Sequence, residues 1–209
     1  MIKICGVRTV EDAVACAEAG ATAVGLNLWP GSKRYLPFAD AGVVAAALPP
    51  SVRRFAVLVN PSDEEVRRAF SIVDTVQLHG DETPARVREL SSLGRIMKAV
   101  RLTAATEPGA LDAYPGELLL VDADAPGYGG SGQRADVALA RSVAARRAVL
   151  LAGGLDPDNV ADAIRQVRPF GVDVAGGVES APGIKDHVKI TAFVARARAA
   201  LSQLAEEHP

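Results

Sequence analysis

The feature that most constrains this chain is a regular alternation of strand-like and helix-like segments along its whole length. The strand-like segments are short and rich in Val, Ile and Leu, and each is followed by one helical pattern. A continuous apolar run such as residues 118–121 is typical of a strand that is buried on both faces. Eight strands are predicted, at residues 1–5, 22–28, 54–60, 75–79, 95–100, 117–122, 148–152 and 171–175.

Eight such units in 209 residues leave about 26 residues for each strand and its helix. Single helices between apolar strands indicate parallel βαβ units. We therefore predict an α/β fold, a single (β/α)8 TIM barrel that forms one domain over residues 1–209. A doubly wound open sheet is the alternative, but it does not explain eight units of even length.

Four polar residues predict where helices begin. Thr9 and Thr83 precede helical patterns as N-caps, and Thr83 is followed by proline, which fits the first helical position. Ser62 has Glu65 three residues later, which is the spacing of a capping box. Asp156, also followed by proline, is predicted to cap the seventh helix.

Composition argues against several classes of function. The formal net charge is -2 and the pI is near 5.9, which gives no support for binding to nucleic acid or to a membrane surface. No apolar stretch approaches a membrane span, and the first residues do not resemble a signal peptide. Cys5 and Cys16 provide neither a disulfide framework nor a metal site. We expect a cytoplasmic protein without a metal.

The carboxyl ends of the strands predict the position of the functional site. In a (β/α)8 barrel these ends converge on one face, where catalytic residues lie. The residues brought there, in strand order, are Cys5, Asn27 with Arg34 in the loop beyond, Asn60, His79, Lys98 with Arg101, Asp122, Gly153 with Gly154, and Asp173 with Gly176 and Gly177.

Two pairs of glycines predict a phosphate site. Gly153 and Gly154 follow strand seven, and Gly176 and Gly177 follow strand eight. Glycine lets backbone N–H groups approach an anion closely, and the loops after these two strands commonly bind phosphate in such barrels. Two tight turns without a ligand are the alternative.

One thiol and one carboxylate are the candidates for acid–base chemistry. Cys5 ends strand one and Asp122 ends strand six, so a substrate could fit between them. By position alone, a small buried hydrophobic residue is the favoured interpretation of Cys5, because free cysteine is among the most buried residue types. Asp122 could equally cap a loop, and Asp124 competes with it by spacing.

Two further polar residues at this face have open alternatives. Arg34 could pair with a substrate carboxylate through its planar fork of donors, or it could be a solvated loop charge. His79 could simply bond to backbone at a strand end, since its neighbours Gln77 and Asp81 are not expected to complete a triad.

Several motifs, taken in order, resemble the phosphoribosylanthranilate isomerase family. The resemblance runs nearly from end to end. It is carried by residues 3–6 (KICG), 77–82 (QLHGDE), Asp122 with 128–132 (YGGSG), 151–155 (LAGGL), 171–174 (GVDV), 177–179 (GVE) and 182–186 (PGIKD).

The resemblance implies an isomerase of tryptophan biosynthesis that acts without cofactor or metal. The reaction is an Amadori rearrangement of N-(5-phosphoribosyl)anthranilate to 1-(2-carboxyphenylamino)-1-deoxyribulose 5-phosphate. By the same resemblance Asp122, rather than Asp124, would be the general acid and Cys5 the general base. Arg34 would hold the anthranilate carboxylate, and Asp173 would lie on the substrate side. The glycine pairs would clamp the phosphate.

The sequence departs from the family pattern in two places. Residues 175–177 read Ala-Gly-Gly where the family usually has Ser-Ser-Gly, and residues 135–137 read Ala-Asp-Val where it usually has Phe-Asp-Trp. The first change leaves backbone donors alone to bind the phosphate.

Two other functions remain as alternatives at this point. One is the histidine-pathway aminoaldose isomerase, a family that implies carboxylates on strands one and five, whereas strand one here ends in Cys5. The other is a non-catalytic barrel that binds a sugar phosphate. The expected partner is a small phosphorylated substrate, with no nucleic acid and no membrane, and the expected assembly is a monomer or a homodimer.

Overall fold

Eight parallel strands close into one barrel in the computed structural model, which describes residues 1–123 and 137–207. The strands follow one another around the barrel in chain order, and β1 closes it by pairing with β8. Their bounds are β1 Ile2–Cys5, β2 Ala23–Asn27, β3 Arg53–Leu58, β4 Thr75–Leu78, β5 Ile96–Leu102, β6 Leu118–Ala123, β7 Ala148–Leu151 and β8 Gly171–Val174. The predicted fold class is confirmed.

Helices surround the barrel in the intervals between strands. They are α1 Val10–Ala19, α2 Phe38–Ala46, α3 Asp63–Ala69, α4 Pro84–Ser91, α5 Val137–Ala144, α6 Val160–Val167 and α7 His187–Glu207. Short 3-10 helices span Pro108–Ala113, between β5 and β6, and Gly176–Val178, after β8. A small antiparallel hairpin of β9 Glu179–Ala181 and β10 Ile184–Lys185 connects β8 to α7.

The strands divide their side chains between two apolar layers. On β1, Ile2 and Ile4 point outward and join the layer that packs against the helices. Phe55, Leu120 and Leu150 belong to a smaller layer that fills the barrel interior. Since successive side chains of a strand face opposite ways, residues 3 and 5 of β1 point into the barrel. A lysine and a cysteine therefore enter an interior that is otherwise mainly apolar.

Three of the four predicted helix starts are confirmed. The Thr9 side chain accepts a hydrogen bond from the N–H of Asp12, and Thr83 accepts one from Arg86, with proline at the first helical position. Ser62 and Glu65 form both bonds of the capping box. Each cap thereby satisfies N–H groups that the first helical turn leaves without intrahelical partners.

The predicted cap at Asp156 is wrong, because α6 begins later, at Val160. Asp156 Oδ1 instead accepts hydrogen bonds from the N–H groups of Asp158 and Asn159 and forms a turn before the helix. Aspartate favours such local turns as strongly as it favours helix caps, so the residue type alone does not separate the two.

Some expectations fall on residues 124–136 and 208–209, outside the described residues. They are the glycine-rich segment 125–132, the competing Asp124 and the family departure at 135–136. Among the described residues, no helix is long and apolar enough to cross a membrane.

The capping box at α3 predicts a measurable loss on substitution. Ser62→Ala removes the acceptor for the Glu65 N–H, and we expect it to lower the free energy of unfolding by about 1 kcal/mol. Urea denaturation measures the loss. Ser71→Ala is the control, because that exposed hydroxyl only donates to the Arg68 carbonyl. Its effect should stay within about 0.5 kcal/mol. Equal effects of the two substitutions would contradict the role assigned to the cap.

Candidate active site

A cavity of about 510 Å³ opens at the carboxyl ends of the strands. It brings together all eight residues for which the sequence predicts a function at this face, which are Cys5, Arg34, Asp122, Gly153, Gly154, Asp173, Gly176 and Gly177. His79 and Asn27 also line it, whereas Asn60, Lys98 and Arg101 do not. Convergence of the strand ends thus joins residues from both ends of the chain.

Cys5 ends β1 inside this cavity and is 8% exposed. Gly25 of the neighbouring strand makes room for it, because a Cβ on Gly25 would lie 2.8 Å from the sulfur and 3.0 Å from Lys3 Nζ. Burial raises the pKa of the Cys5 thiol, while the nearby Lys3 and Lys185 ammonium groups act in the opposite direction. The sulfur therefore lies in a buried site that also contains cations.

Lys3 is fully buried inside the barrel and pairs with Asp173. Its Nζ lies 2.7 Å from Asp173 Oδ1 and 5.6 Å from the centre of the Phe55 ring. Burial opposes the charged form, but the Asp173 carboxylate and the Cys5 sulfur outweigh it and raise the pKa of Lys3. Asp173 lines the cavity as the sequence predicts, and its carboxylate is an ion-pair partner within the protein.

Asp122 lies across the barrel on β6, and one of its contacts is with a histidine. Asp122 Oδ2 is 3.5 Å from His79 Nε2, and His79 Nδ1 is 3.1 Å from the side-chain nitrogen of the buried Gln77. The sequence offers only the neighbours Gln77 and Asp81 as triad partners of His79, and the carboxylate beside the imidazole is Asp122 instead. Its carboxylate partner comes from β6 and not from its sequence neighbours, so local spacing could not reveal it.

Arg34 reaches the cavity from the loop after β2, where Glu179 holds its guanidinium. Arg34 Nε and Nη2 donate to the two Glu179 carboxylate oxygens at 2.6 and 2.8 Å. The Arg34 side chain is 13% exposed, which excludes a solvated loop charge. Gly6, at φ +74°, also accommodates it, because a Cβ there would clash with the Arg34 side chain. Arg34 is thus fixed in place before any substrate binds.

Lys185 ties the hairpin after β8 to β1. Its buried Nζ donates to the carbonyl oxygens of Cys5 at 2.7 Å and Ala175 at 3.0 Å, and to Glu179 Oε1 at 3.1 Å. Burial lowers the pKa of Lys185, although the Glu179 carboxylate opposes this. Burial alone would raise the pKa of Glu179, but Arg34 and Lys185 hold it below its usual value.

Sequence reasoning assigned no function to Lys3, Glu179 or Lys185. The signal was present, since all three are charged residues within the short motifs that carry the family resemblance. Charged side chains that are buried are seldom tolerated without a partner, so a buried position for any of them would have suggested an ion pair.

The glycine turns combine a backbone conformation that favours glycine with available N–H donors. Gly153 and Gly154 have φ +92° and +63°, a region that other residues rarely adopt. Within residues 1–123 and 137–207, neither of their N–H groups donates to a backbone or side-chain acceptor. Gly177 packs so closely on the Leu155 carbonyl that a Cβ would clash with it. The two turns therefore lie against each other at one side of the cavity.

A second cavity of about 320 Å³ adjoins the first through His79 and Asp122. Lys98 and Arg101 line it together with Tyr114. Lys98 Nζ donates to Glu82 Oε2 at 2.8 Å and to the Gly80 carbonyl at 2.7 Å. Lys98 is therefore engaged beneath the loop after β4 and does not face Cys5.

The geometry suits acid–base chemistry on an anionic substrate. A thiol and a carboxylate lie on strands that are not neighbours, an arginine lines the same cavity, and glycine turns offer backbone donors. No group of three or more potential ligands among the described His, Cys, Asp and Glu residues could hold a metal ion. Such a cavity can protonate one atom of a bound sugar phosphate and remove a proton from another.

Comparison with known proteins agrees with this chemistry. The family model described as N-(5'-phosphoribosyl)anthranilate isomerase matches residues 2–196. An isomerase of that name from Myxococcus xanthus is 44% identical over 94% of this chain and 95% of its own length.

Two solved structures show the same likeness. Phosphoribosyl anthranilate isomerase from Thermus thermophilus superposes with a TM-score of 0.86 at 36% identity, covering 95% of this chain and 98% of that one. A phosphoribosyl anthranilate isomerase in complex with reduced 1-(o-carboxyphenylamino)-1-deoxyribulose 5-phosphate gives 0.81 at 36% identity, with the same coverage.

The buried Glu179 carboxylate predicts a large loss of stability on neutralisation. Glu179→Gln leaves the Arg34 and Lys185 charges without their counterion, and we expect the free energy of unfolding to fall by about 3 kcal/mol at neutral pH. Asp162→Asn is the control, because it breaks an exposed pair with Arg165 that contributes at most about 1 kcal/mol.

The difference in unfolding free energy between Glu179→Gln and wild type should also depend on pH. The pKa of Glu179 is lowered in the folded state, so its stabilising charge is fully present above its ordinary value of 4.5 and is lost as the pH falls through the lower folded value. Denaturation curves recorded from pH 7 to pH 3 should show the difference in unfolding free energy between variant and wild type shrinking as the pH falls below 4.5. A constant difference would contradict the ion-pair account.

Proposed function

The chain belongs to the N-(5'-phosphoribosyl)anthranilate isomerase family, and from this premise we propose how its cavity carries out the reaction. The enzyme converts N-(5'-phosphoribosyl)anthranilate to 1-(2-carboxyphenylamino)-1-deoxyribulose 5-phosphate, a step of tryptophan biosynthesis. The observation that carries the proposed roles is that Cys5 and Asp122 line one cavity from strands that are not neighbours.

Asp122 acts as the general acid in the first step. Its protonated carboxyl gives a proton to the furanose ring oxygen, and the bond between that oxygen and C1 breaks. The lone pair of the anthranilate nitrogen forms the C=N bond of a Schiff base, so the departing oxygen leaves as a hydroxyl. His79 supports this role, because its Nε2 lies 3.5 Å from Asp122 Oδ2 and holds the carboxyl at the cavity edge.

Cys5 acts as the general base in the second step. As the thiolate it removes the proton from C2, and the electrons of the C–H bond form the C1=C2 bond of an enolamine while the iminium nitrogen is neutralised. The enolamine then tautomerises to the ketone, with loss of the hydroxyl proton from the oxygen on C2 and gain of a proton at C1. Only the thiolate can accept a proton, so its charge must be compensated inside the cavity.

Arg34 holds the anthranilate carboxylate. Glu179 engages Nε and Nη2, which fixes the plane of the guanidinium and leaves Nη1 outside that pairing. Planar, charge-assisted donors of this kind suit a carboxylate. Asp173 shapes the substrate side of the cavity, where it also anchors Lys3.

The glycine turns hold the phosphate. The N–H groups of Gly153 and Gly154, which have no acceptor among residues 1–123 and 137–207, can surround phosphate oxygens together with Gly176 and Gly177, without side-chain hydroxyls. Backbone N–H groups would neutralise the phosphate charge only modestly, which fits a substrate that must bind and leave. Cytoplasmic location and assembly as a monomer or homodimer stay predictions.

The acid and base assignments predict the outcome of two substitutions. Cys5→Ser and Asp122→Asn should each lower turnover by about 10²–10⁴-fold, the usual contribution of general acid–base catalysis. A fluorescence assay that follows loss of phosphoribosylanthranilate measures the rates, and thermal unfolding checks that both variants are folded. Cys16→Ala is the control, since that thiol is buried within α1, outside the cavity. Near-normal turnover in both active-site variants would overturn the assignments.

The phosphate assignment predicts a difference between two glycines that have the same φ angle. Gly153 and Gly116 both have φ +92°, so alanine at either site costs about 1–2 kcal/mol of backbone strain. Gly116 lies before β6 at the opposite end of the barrel. We expect Gly153→Ala to raise KM at least tenfold and Gly116→Ala to leave KM unchanged. An equal KM for both variants would remove the phosphate role from this turn.

A further inference from the structure

Lys3 is a buried cation with no assigned part in binding or proton transfer. We propose that Lys3 is a positioning residue that ionises Cys5: its ammonium, anchored by Asp173 inside the barrel, stabilises the thiolate that removes the substrate proton. The proposal deepens the function described above and rests on the role of Cys5 as the general base.

The first argument is the placement of the two side chains. Residues 3 and 5 lie two apart on β1 and so face the same way, into the barrel. Cys5 Sγ and Lys3 Nζ both lie within 3.0 Å of the point that a Cβ on Gly25 would occupy. They are therefore within the roughly 4–6 Å over which an opposite charge favours ionisation.

The second argument is the cost of burying Lys3 where it lies. Lys3 is fully buried, and the ring of Phe55, a member of the apolar layer inside the barrel, lies 5.6 Å from its Nζ. Taking an ammonium out of water costs several kcal/mol, and a carboxylate partner offsets this only in part. An apolar residue would satisfy packing at lower cost, so the retained charge points to chemistry rather than to stability.

The third argument concerns the other charges that face Cys5. They are Asp173 on β8, Lys185 on β10 and Arg34 in the loop after β2. Lys185 and Arg34 both pair with the Glu179 carboxylate, and Lys185 also donates to the carbonyls of Cys5 and Ala175, so the donors of these two cations are engaged away from the sulfur. Lys3 instead shares its charge between one carboxylate oxygen of Asp173 and the sulfur of Cys5.

These charges predict opposite effects at the two ends of the Lys3–Asp173 pair. Lys3 lowers the pKa of the Cys5 thiol and Asp173 raises it. Lys3→Met, which keeps the length of the side chain, should therefore make ionisation of Cys5 harder. Asp173→Asn should make it easier, because the ammonium is then left to the sulfur. A purely structural role for the pair predicts no such opposition.

The experiment measures the rate at which iodoacetamide alkylates Cys5 as a function of pH, in the full-length enzyme without substrate. A Cys16→Ala background removes the second thiol. We expect the midpoint of the curve of alkylation rate against pH to rise by at least about one pH unit in Lys3→Met and to fall in Asp173→Asn. Midpoints that stay within about 0.3 pH unit of wild type, or that move in the same direction in both variants, would overturn the proposal.

A second variant keeps the test decisive if Lys3→Met does not fold. Lys3→Met combined with Asp173→Asn removes both charges together and leaves no unpaired carboxylate. Its midpoint should lie above that of Asp173→Asn alone, because the cation is then missing. Equal midpoints for these two variants would also overturn the proposal.

The rate profile separates this inference from the assignment of the base. The acid limb of kcat/KM should move in the same direction as the alkylation midpoint in each variant. If the alkylation midpoints move but Cys5→Ser keeps near-normal turnover, the base assignment fails and the coupling of Lys3 to Cys5 stands. If Cys5→Ser is inactive and the midpoints do not move, the base stands and the role of Lys3 fails.

Discussion

Closure of the barrel between β1 and β8 is the constraint on which the site depends. The two strands pair in parallel with Lys3 opposite Asp173, so hydrogen bonding of the backbone also places an ammonium beside a carboxylate. Lys185 strengthens the same seam from the hairpin after β8, by donating to the carbonyl of Cys5. The first and last strands are therefore joined at the point where the proposed base lies, and its position follows from the architecture.

The charged side chains at this seam form two separate ion-pair groups. Glu179 pairs with both Arg34 and Lys185, whereas Asp173 pairs with Lys3 inside the barrel. Each cation is fixed by a carboxylate of the protein before substrate arrives. Fixed charges of this kind cost no reorganisation during the reaction, which is why enzymes favour them over mobile ones. On the opposite side, His79 gives Asp122 a partner from a separate strand.

Sequence alone predicted the fold and the residues at strand ends, because both follow from local patterns. Alternating strands and helices identified the barrel, and convergence of strand ends then gathered Cys5 and Asp122. It did not reveal Lys3, which lies within a strand, because only closure of the barrel shows that its side chain is buried. Nor did it reveal the contact of His79 with Asp122, since residues from β4 and β6 meet only across the interior. The predicted helix cap at Asp156 was wrong because a turn and a helix cap use the same side-chain chemistry.

Gly25 shows that an absent side chain can be a functional element. The space that a methyl group would fill on β2 is the space in which the sulfur of Cys5 and the ammonium of Lys3 lie near each other. Attempts to redesign this barrel for other substrates will meet a limit there, because any larger residue would insert carbon between the two groups. The position that leaves room for these two groups thus carries no reactive atom at all.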